Sequence, residues 1–170
     1  MSSFNIDIRG DFDGKMDKIT AEVKAIVEDE LYAFGLETVA MAKTLAPVDE
    51  GFLRNSITFE KMGLTVEIVV AANYAAYLEF GTRAFAAAYV ATLPTEWQAF
   101  ATQFKGGGGS FEDFFMNIVE WVRRKGIEPE AAYPIAKKIL RFGIAAKPFL
   151  YPAIEVNKKI LIENLKAVLK

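Results

Sequence analysis

The chain has 170 residues, 52% apolar and 25% charged, a balance typical of one globular domain with room for an inserted subdomain. It contains no cysteine and no histidine, which excludes disulfides, a Ser-His-Asp triad, a zinc hydrolase and a Cys-His protease. Net charge is -2, but residues 1–120 hold 9 basic and 18 acidic residues, whereas 121–170 hold 11 and 4. This asymmetry indicates either charged partners and self-stacking or solvated helix faces.

The chain begins with a pattern typical of a strand followed by a long helix. "FNIDIR" (4–9) alternates apolar and polar residues as a half-buried strand does. Asp11 or Asp13 then caps a helix running to about Leu45, roughly 50 Å long at 1.5 Å per residue. A compact domain cannot cover so long a stripe, so part of it is expected to pack on a neighbouring subunit, and Gly35 is a candidate bend. The stripe comprises Met16, Ile19, Val23, Val27, Leu31, Phe34, Met41 and Leu45.

A β-hairpin and a short helix follow. Pro47 ends the long helix. "SITFEKMGLTVEIVVAA" predicts two strands with alternating apolar residues, joined by a turn at Met62-Gly63. "YAAYLEFG" (74–81) predicts one or two helical turns that end at Gly81 in a left-handed cap.

Residues 83–146 are predicted to be a helical insertion. Helices are expected on both sides of Pro94 and from Ser110 as N-cap to Gly126, and a short helix over residues 128–143 is expected to be regular only from about Pro134. The string "GGGGS" (106–110) is either a native flexible loop or an engineered linker, and it lacks the Gly-Lys-Ser/Thr ending of a phosphate loop. In the helix after Ser110 one apolar face is formed by Phe111, Phe114, Phe115, Ile118, Val119 and Val122.

The last segment begins extended and becomes helical near Pro152. The fold class is therefore α+β: a small antiparallel sheet, made of the hairpin and the N-terminal strand, packs on a long N-terminal helix and a C-terminal helix. Residues 1–82 with 147–170 form the core domain, and 83–146 form a helical insertion.

Acidic runs at Glu28–Glu30 and Glu112-Asp113 point in different directions on a helix, so we interpret them as solvated faces and expect neither a metal site nor a cofactor. Two basic runs are candidates for contact with nucleic acid or with an acidic protein surface. Their aromatic neighbours do not alternate with the cations as base-stacking platforms would. The basic residues are Arg123, Arg124, Lys125, Lys137, Lys138 and Arg141.

The stretch "NYAAYLEFGTRAF" (73–85) places two tyrosines, a glutamate and an arginine close together. One interpretation is a structural corner in which Arg54 pairs with Asp49 or with Glu79. The other is an enzyme that uses Glu79 with Tyr74 or Tyr77. The structural corner is favoured, because the chain has no histidine to act as general base and no cysteine to act as nucleophile.

Three motifs resemble a known family. "PVDEGFLRNS" carries Asp49, Gly51 and Arg54, "YAAYLEFGT" carries the second motif and "KPFLYPA" the third. Together they resemble the head–tail joining or tail-completion minor virion proteins, a tail-component family of long-tailed bacteriophages and prophages. The remaining motif residues are Tyr74, Tyr77, Glu79, Phe80, Gly81, Thr82, Pro148, Phe149 and Pro152.

The resemblance implies a non-enzymatic structural protein at the neck, often a hexameric or dodecameric ring around the DNA channel. Its partners would be copies of itself, neighbouring neck or tail proteins, and DNA through non-specific contacts. The family often has only a short loop where this chain carries residues 83–146. No apolar run is long enough to span a bilayer, so the protein is expected in the host cytoplasm during assembly and then in the virion. The alternative is a non-specific nucleic-acid-binding module that uses the basic C-terminal third.

Overall fold

The computed structural model describes residues 21–104 and 110–168 and, for the backbone alone, residues 4–8. Two compact units are present: residues 1–75 with 147–170, called unit 1, and residues 76–146, called unit 2. The structure is α+β, as the sequence predicted, with the strands confined to unit 1. The predicted helix start at Asp11 or Asp13, and the whole glycine run 106–109 before Ser110, lie outside the described residues.

Unit 1 contains a three-stranded antiparallel sheet. Its strands are β1 (Phe4–Ile8), β2 (Ile57–Met62) and β3 (Thr65–Val70), and β3 is central because it pairs with both others. In the register, Phe4 and Ile57 lie opposite Val70. The predicted alternation is confirmed, since Ile57, Val66, Ile68 and Val70 are buried. The hairpin turn lies one residue later than predicted, because Met62 pairs with Thr65 and leaves Gly63 and Leu64 as the loop.

The long helix α1 (Ala21–Leu45) packs one face on the sheet. Val27, Leu31 and Phe34 of the predicted stripe are buried, whereas Leu45 is exposed. The helix is uninterrupted at Gly35, whose absent side chain makes room for a neighbour: a Cβ there would lie 2.8 Å from Cε2 of Phe59. The glycine therefore permits close packing of helix on sheet.

The helix α8 (Leu150–Val168) packs along α1. It begins two residues before the predicted position at Pro152, which lies in its first turn. Asn157 is buried in this contact and donates from Nδ2 to the Ala153 carbonyl (2.9 Å) and toward Met41 Sδ (3.8 Å). Asn164 donates to Glu30 Oε2 (2.8 Å).

A buried hydroxyl in α1 gives a stability prediction. Thr38 is 0% exposed, and its Oγ1 has no hydrogen-bond partner among the residues that the structure describes. An unsatisfied buried hydroxyl costs roughly 1–3 kcal/mol, so Thr38→Val, which keeps the shape, is expected to raise the free energy of unfolding by about 1 kcal/mol. Chemical denaturation measures it. Thr44→Val is the control, because the Thr44 hydroxyl is exposed and donates to the Ala40 carbonyl (3.0 Å); equal effects of the two changes would contradict this explanation.

Unit 2 consists of helices. The chain enters it through α3 (Ala75–Phe80), whose first residue still belongs to unit 1. The predicted helix over residues 128–143 is present as a short 3-10 helix (Pro129–Ala131) followed by α7 (Ala132–Phe142), which is regular from two residues before Pro134. Ser110 caps α6 as predicted, accepting a hydrogen bond from the Asp113 N–H (3.0 Å). The other helices are α4 (Arg83–Val90), α5 (Thr95–Ala101), α6 (Phe111–Arg124) and α7 (Ala132–Phe142).

An aromatic cluster forms part of the interior of unit 2. Phe80 lies 6.3 Å from Trp97, 6.2 Å from Phe100 and 6.1 Å from Phe104, centroid to centroid. Such spacings favour edge and offset contacts between rings. On α6, by contrast, the predicted apolar face is only partly covered: Val122 is buried and Phe111 is exposed. Phe80 of the second motif is thus a core residue of this unit.

Candidate functional site

The first motif forms a tight corner between α1 and β2. Gly51 has a left-handed backbone (φ 81°) and begins the short helix α2 (Phe52–Asn55). Arg54 donates from Nε to the Ala46 carbonyl (3.3 Å), eight residues earlier, which ties α2 to the end of α1. These contacts make Gly51 and Arg54 structural parts of the corner. The predicted pairing of Arg54 with Asp49 or Glu79 remains a prediction.

Ser56 joins the two ends of the hairpin. Its Oγ donates to the Leu53 carbonyl (2.8 Å) and accepts from the Ala72 N–H (3.2 Å), while the Ala71 N–H donates to the Ser56 carbonyl (3.2 Å). One serine therefore fixes the start of β2 against the residues that follow β3. Sequence reasoning placed Ser56 in the first motif but gave it no role, since the contact spans 16 residues.

Tyr74 closes the corner from the other side. Its ring lies 6.3 Å from that of Phe52. Burial and the negative charge of Asp49 raise the pKa of Tyr74 above 10.0; Glu50 adds to this, and a hydrogen bond with the Leu53 backbone opposes it. A phenol with a raised pKa stays protonated at neutral pH, so it is a poor nucleophile or base.

The raised pKa predicts a pH dependence of stability. The pKa of Tyr74 is higher in the folded than in the unfolded state, so its contribution to the free energy of unfolding is fully present below pH 10. That contribution falls as the pH rises through the folded-state pKa. Tyr74→Phe should therefore lose less stability between pH 9 and 11 than the parent protein, measured from urea midpoints. Asp49→Asn should reduce the dependence in part. Identical pH profiles for the parent and Tyr74→Phe would show that Tyr74 does not titrate in this way.

The second motif continues into unit 2 and forms a clasp. Glu79 is buried, and Gly81 has the predicted left-handed backbone (φ 75°). The Thr82 N–H donates to the Ile144 carbonyl (2.9 Å), and the Ile144 N–H donates to Thr82 Oγ1 (2.7 Å). The first and last parts of unit 2 are therefore joined by a reciprocal pair of hydrogen bonds, which we call the clasp. Tyr77 is exposed on α3.

Two backbone features surround the clasp. A Cβ on Gly81 would lie 2.8 Å from the Ile144 carbonyl oxygen, and one on Gly143 would overlap the Thr82 carbonyl. Arg83 has φ 54°, unusual for a residue with a side chain. Sequence reasoning predicted Gly143 only as a helix stop. Its role in the clasp depends on a contact with residue 82, which no local pattern indicates.

The third motif leads into α8 in unit 1. Phe149 and Leu150 are fully buried, and Pro148 and Pro152 are half-buried on either side of them. Phe149 thus serves packing and not surface recognition.

The six basic candidates lie on two helices of one unit. Arg123, Arg124 and Lys125 are at the end of α6, and all six are exposed. Lys137, Lys138 and Arg141 lie on α7, which contains no acidic residue. α6 and α7 pack together, so the two groups of cations lie on neighbouring helices of unit 2.

The acidic runs form no metal site among residues 21–104 and 110–168, where no group of three or more acidic side chains could hold an ion. Glu28 instead pairs with Lys61 (3.2 Å), and Asp113 accepts from the Ser110 hydroxyl (2.8 Å). Within the same described ranges, no helix is long and apolar enough to cross a membrane.

Comparison with known proteins identifies the region that holds the corner. Residues 10–81 match the family described as "Bacteriophage HK97-gp10, putative tail-component". Residues 10–81, less than half of the chain, are similar to this family, and we call them the HK97-gp10-like region. No curated protein and no solved structure matches the chain. The match includes the first motif and ends at Gly81, within the second, and it confirms the tail-component family that the motifs indicated.

The HK97-gp10-like region supports a structural role in a phage. In unit 1 the first motif holds the backbone of the corner between α1 and β2 through Gly51, Arg54 and Ser56. Aromatic side chains of the corner remain on the surface. Such an arrangement holds the corner rigidly by backbone contacts and presents aromatic side chains to solvent.

Proposed function

We propose that the protein is a non-enzymatic virion component that joins the head connector to the tail, or completes the tail, by forming an oligomeric ring at the neck. The proposal is supported by the tail-component family of residues 10–81 together with an exposed apolar surface within that region. Its partners are further copies of the chain and neighbouring neck or tail proteins.

The exposed apolar surface of unit 1 carries the proposal. On α1, Tyr32 and Leu36 are both 53% exposed and lie four residues apart, hence on one side of the helix. On α8, Val156 and Ile160 are exposed with the same spacing. Exposed apolar pairs on two helices that pack together are the kind of surface that association would cover.

The helical unit fits the same role. We propose that residues 83–146 are an insertion in the family core, and that the clasp of Thr82 with Ile144 lies near its base. An insertion carried on a rigid base could select a neighbouring protein without altering the core.

Light scattering coupled to size-exclusion chromatography, at rising protein concentration and with the neighbouring phage neck proteins added, tests the ring. Leu36→Asp should weaken association roughly a hundredfold, because burying an unpaired charge costs about 3 kcal/mol. Met62→Asp is the control, since Met62 is exposed beside the hairpin turn. A strict monomer under every condition, even with the neck proteins present, would rule out the ring.

A further inference from the structure

One side of α7 combines cations with exposed aromatic rings. The exposed residues of α7 form two adjacent rows along the helix, each with a spacing of four residues. One row is Tyr133, Lys137 and Arg141, and the other is Pro134, Lys138 and Phe142. The opposite side holds Ala132 and Ala136, which are buried. We call Tyr133, Lys137, Lys138, Arg141 and Phe142 the α7 face.

The aromatic residues lie at the two ends of this face. Tyr133 is 60% and Phe142 45% exposed, and their positions are about 13 Å apart along the helix axis. The Arg141 guanidinium lies 5.0 Å from the centre of the Phe142 ring. Aromatic and arginine side chains are the residues most enriched at the energetic centres of protein interfaces.

The corner of unit 1 offers the opposite charge. Val48, Phe52 and Tyr74 are exposed apolar residues, and Asp49 and Glu50 are exposed acids within the same turn. The Phe52 and Tyr74 rings lie side by side, and both carboxylates act on the Tyr74 hydroxyl. We call these five residues the corner patch.

We propose that the α7 face of one copy binds the corner patch of a second copy. Lys137 and Lys138 meet Asp49 and Glu50, while Arg141 stacks on the exposed rings, as guanidinium groups do on aromatic faces. Such a contact joins two different surfaces, and head-to-tail contacts of this kind build a ring when the rotation between successive copies closes. The inference rests on the proposed oligomer and adds a second contact between copies to the one proposed for the exposed apolar residues of α1 and α8.

Charge balance favours a protein partner over nucleic acid. Residues 76–146 contain 8 basic and 7 acidic residues, whereas a DNA-binding unit is expected to be strongly basic overall. The cations of α7 form a local patch with aromatic ends, which fits a small acidic and aromatic surface. Binding to DNA is one outcome of the test.

Cross-linking in mixtures tests the contact, and the absence of cysteine makes it specific. Chains carrying only Lys137→Cys are mixed with chains carrying only Glu50→Cys and treated with a short bismaleimide. We expect the mixture to form covalent dimers at least tenfold faster than either variant alone. Glu112→Cys, exposed on α6, replaces Lys137→Cys in the control and should give only the background rate.

Charge exchange provides a second, independent measurement. Lys137→Glu with Lys138→Glu should weaken association at least tenfold in light scattering at 0.15 M salt. Asp49→Lys with Glu50→Lys should do the same. A mixture of the two charge-reversed proteins should recover association to within about threefold of the parent, since opposite charges again face each other. Circular dichroism checks that each variant is folded.

The outcomes separate the inference from the ring. Oligomers that form without the mixed cross-link and without rescue overturn the α7 contact and leave the ring standing. A monomer in every condition contradicts both. Unchanged association of Lys137→Glu with Lys138→Glu, together with loss of salt-dependent binding to a duplex DNA probe, would assign the α7 face to nucleic acid.

Discussion

Gly143→Ala is expected to lower the free energy of unfolding of unit 2 by roughly 3 kcal/mol or more, because a side chain is excluded by both conformation and space. Gly143 has φ 89° and ψ -168°, a region that glycine alone populates readily. A Cβ would overlap the Thr82 carbonyl and lie 2.8 Å from Thr82 Oγ1. Both clasp hydrogen bonds use Thr82, so relief of the overlap would disturb them.

Gly126→Ala is the matched control in the same unit. Gly126 also has a positive φ (64°), but a Cβ there would meet nothing within 4 Å. Its substitution should cost only about 1 kcal/mol, the conformational part of the penalty. Both tryptophans, Trp97 and Trp121, lie in unit 2, so their fluorescence in rising urea reports on this unit. Equal losses for the two alanine variants would show that the clasp adds nothing.

Phe149→Ala is expected to destabilise unit 1 by about 3–5 kcal/mol, the usual cost of removing a buried phenyl ring. Phe149 is 0% exposed and lies next to Leu150, which is also fully buried at the start of α8. The cavity would form where α8 begins, so the packing of α8 on α1 is expected to loosen with it.

Phe52→Ala makes the same chemical change on the surface of the same unit. Phe52 is 59% exposed, so its loss should cost less than about 1 kcal/mol. Far-UV circular dichroism in urea follows the loss of α1 and α8, and a fall in midpoint confined to Phe149→Ala is the expected result. Comparable midpoints for the two variants would contradict the core role of the third motif.

Local signals in the sequence were enough for much of the fold. Ser110 caps α6 and Gly81 takes the left-handed conformation, because capping and turn geometry depend on residues only a few positions apart. Alternation predicted the buried residues of β2 and β3 for the same reason. The hairpin turn was displaced by one residue, since Gly63 can serve in either register.

Contacts between distant residues could not be predicted. Gly35 was a candidate bend, yet its role is to admit the Phe59 ring, which depends on how helix and sheet pack. The clasp joins Thr82 to Ile144, and no periodicity connects them. In the candidate site, the six basic residues of α6 and α7 could be predicted because they occur as two short runs in the sequence. The acid-free side of α7 and the paired rings of Phe52 and Tyr74 required the structure.

The division of unit 1 between two stretches of chain has a consequence for biosynthesis. Residues 76–146 are contiguous, so a ribosome can release them to fold while translation continues. Unit 1 includes α8, which is made of residues 150–168. The α1 surface that α8 covers therefore stays uncovered until all of unit 2 has been translated. The apolar pairs on α1 and α8 therefore come together only late in synthesis. Unit 1 therefore reaches its full packing only after residues 150–168 have been synthesised, whereas unit 2 can fold earlier.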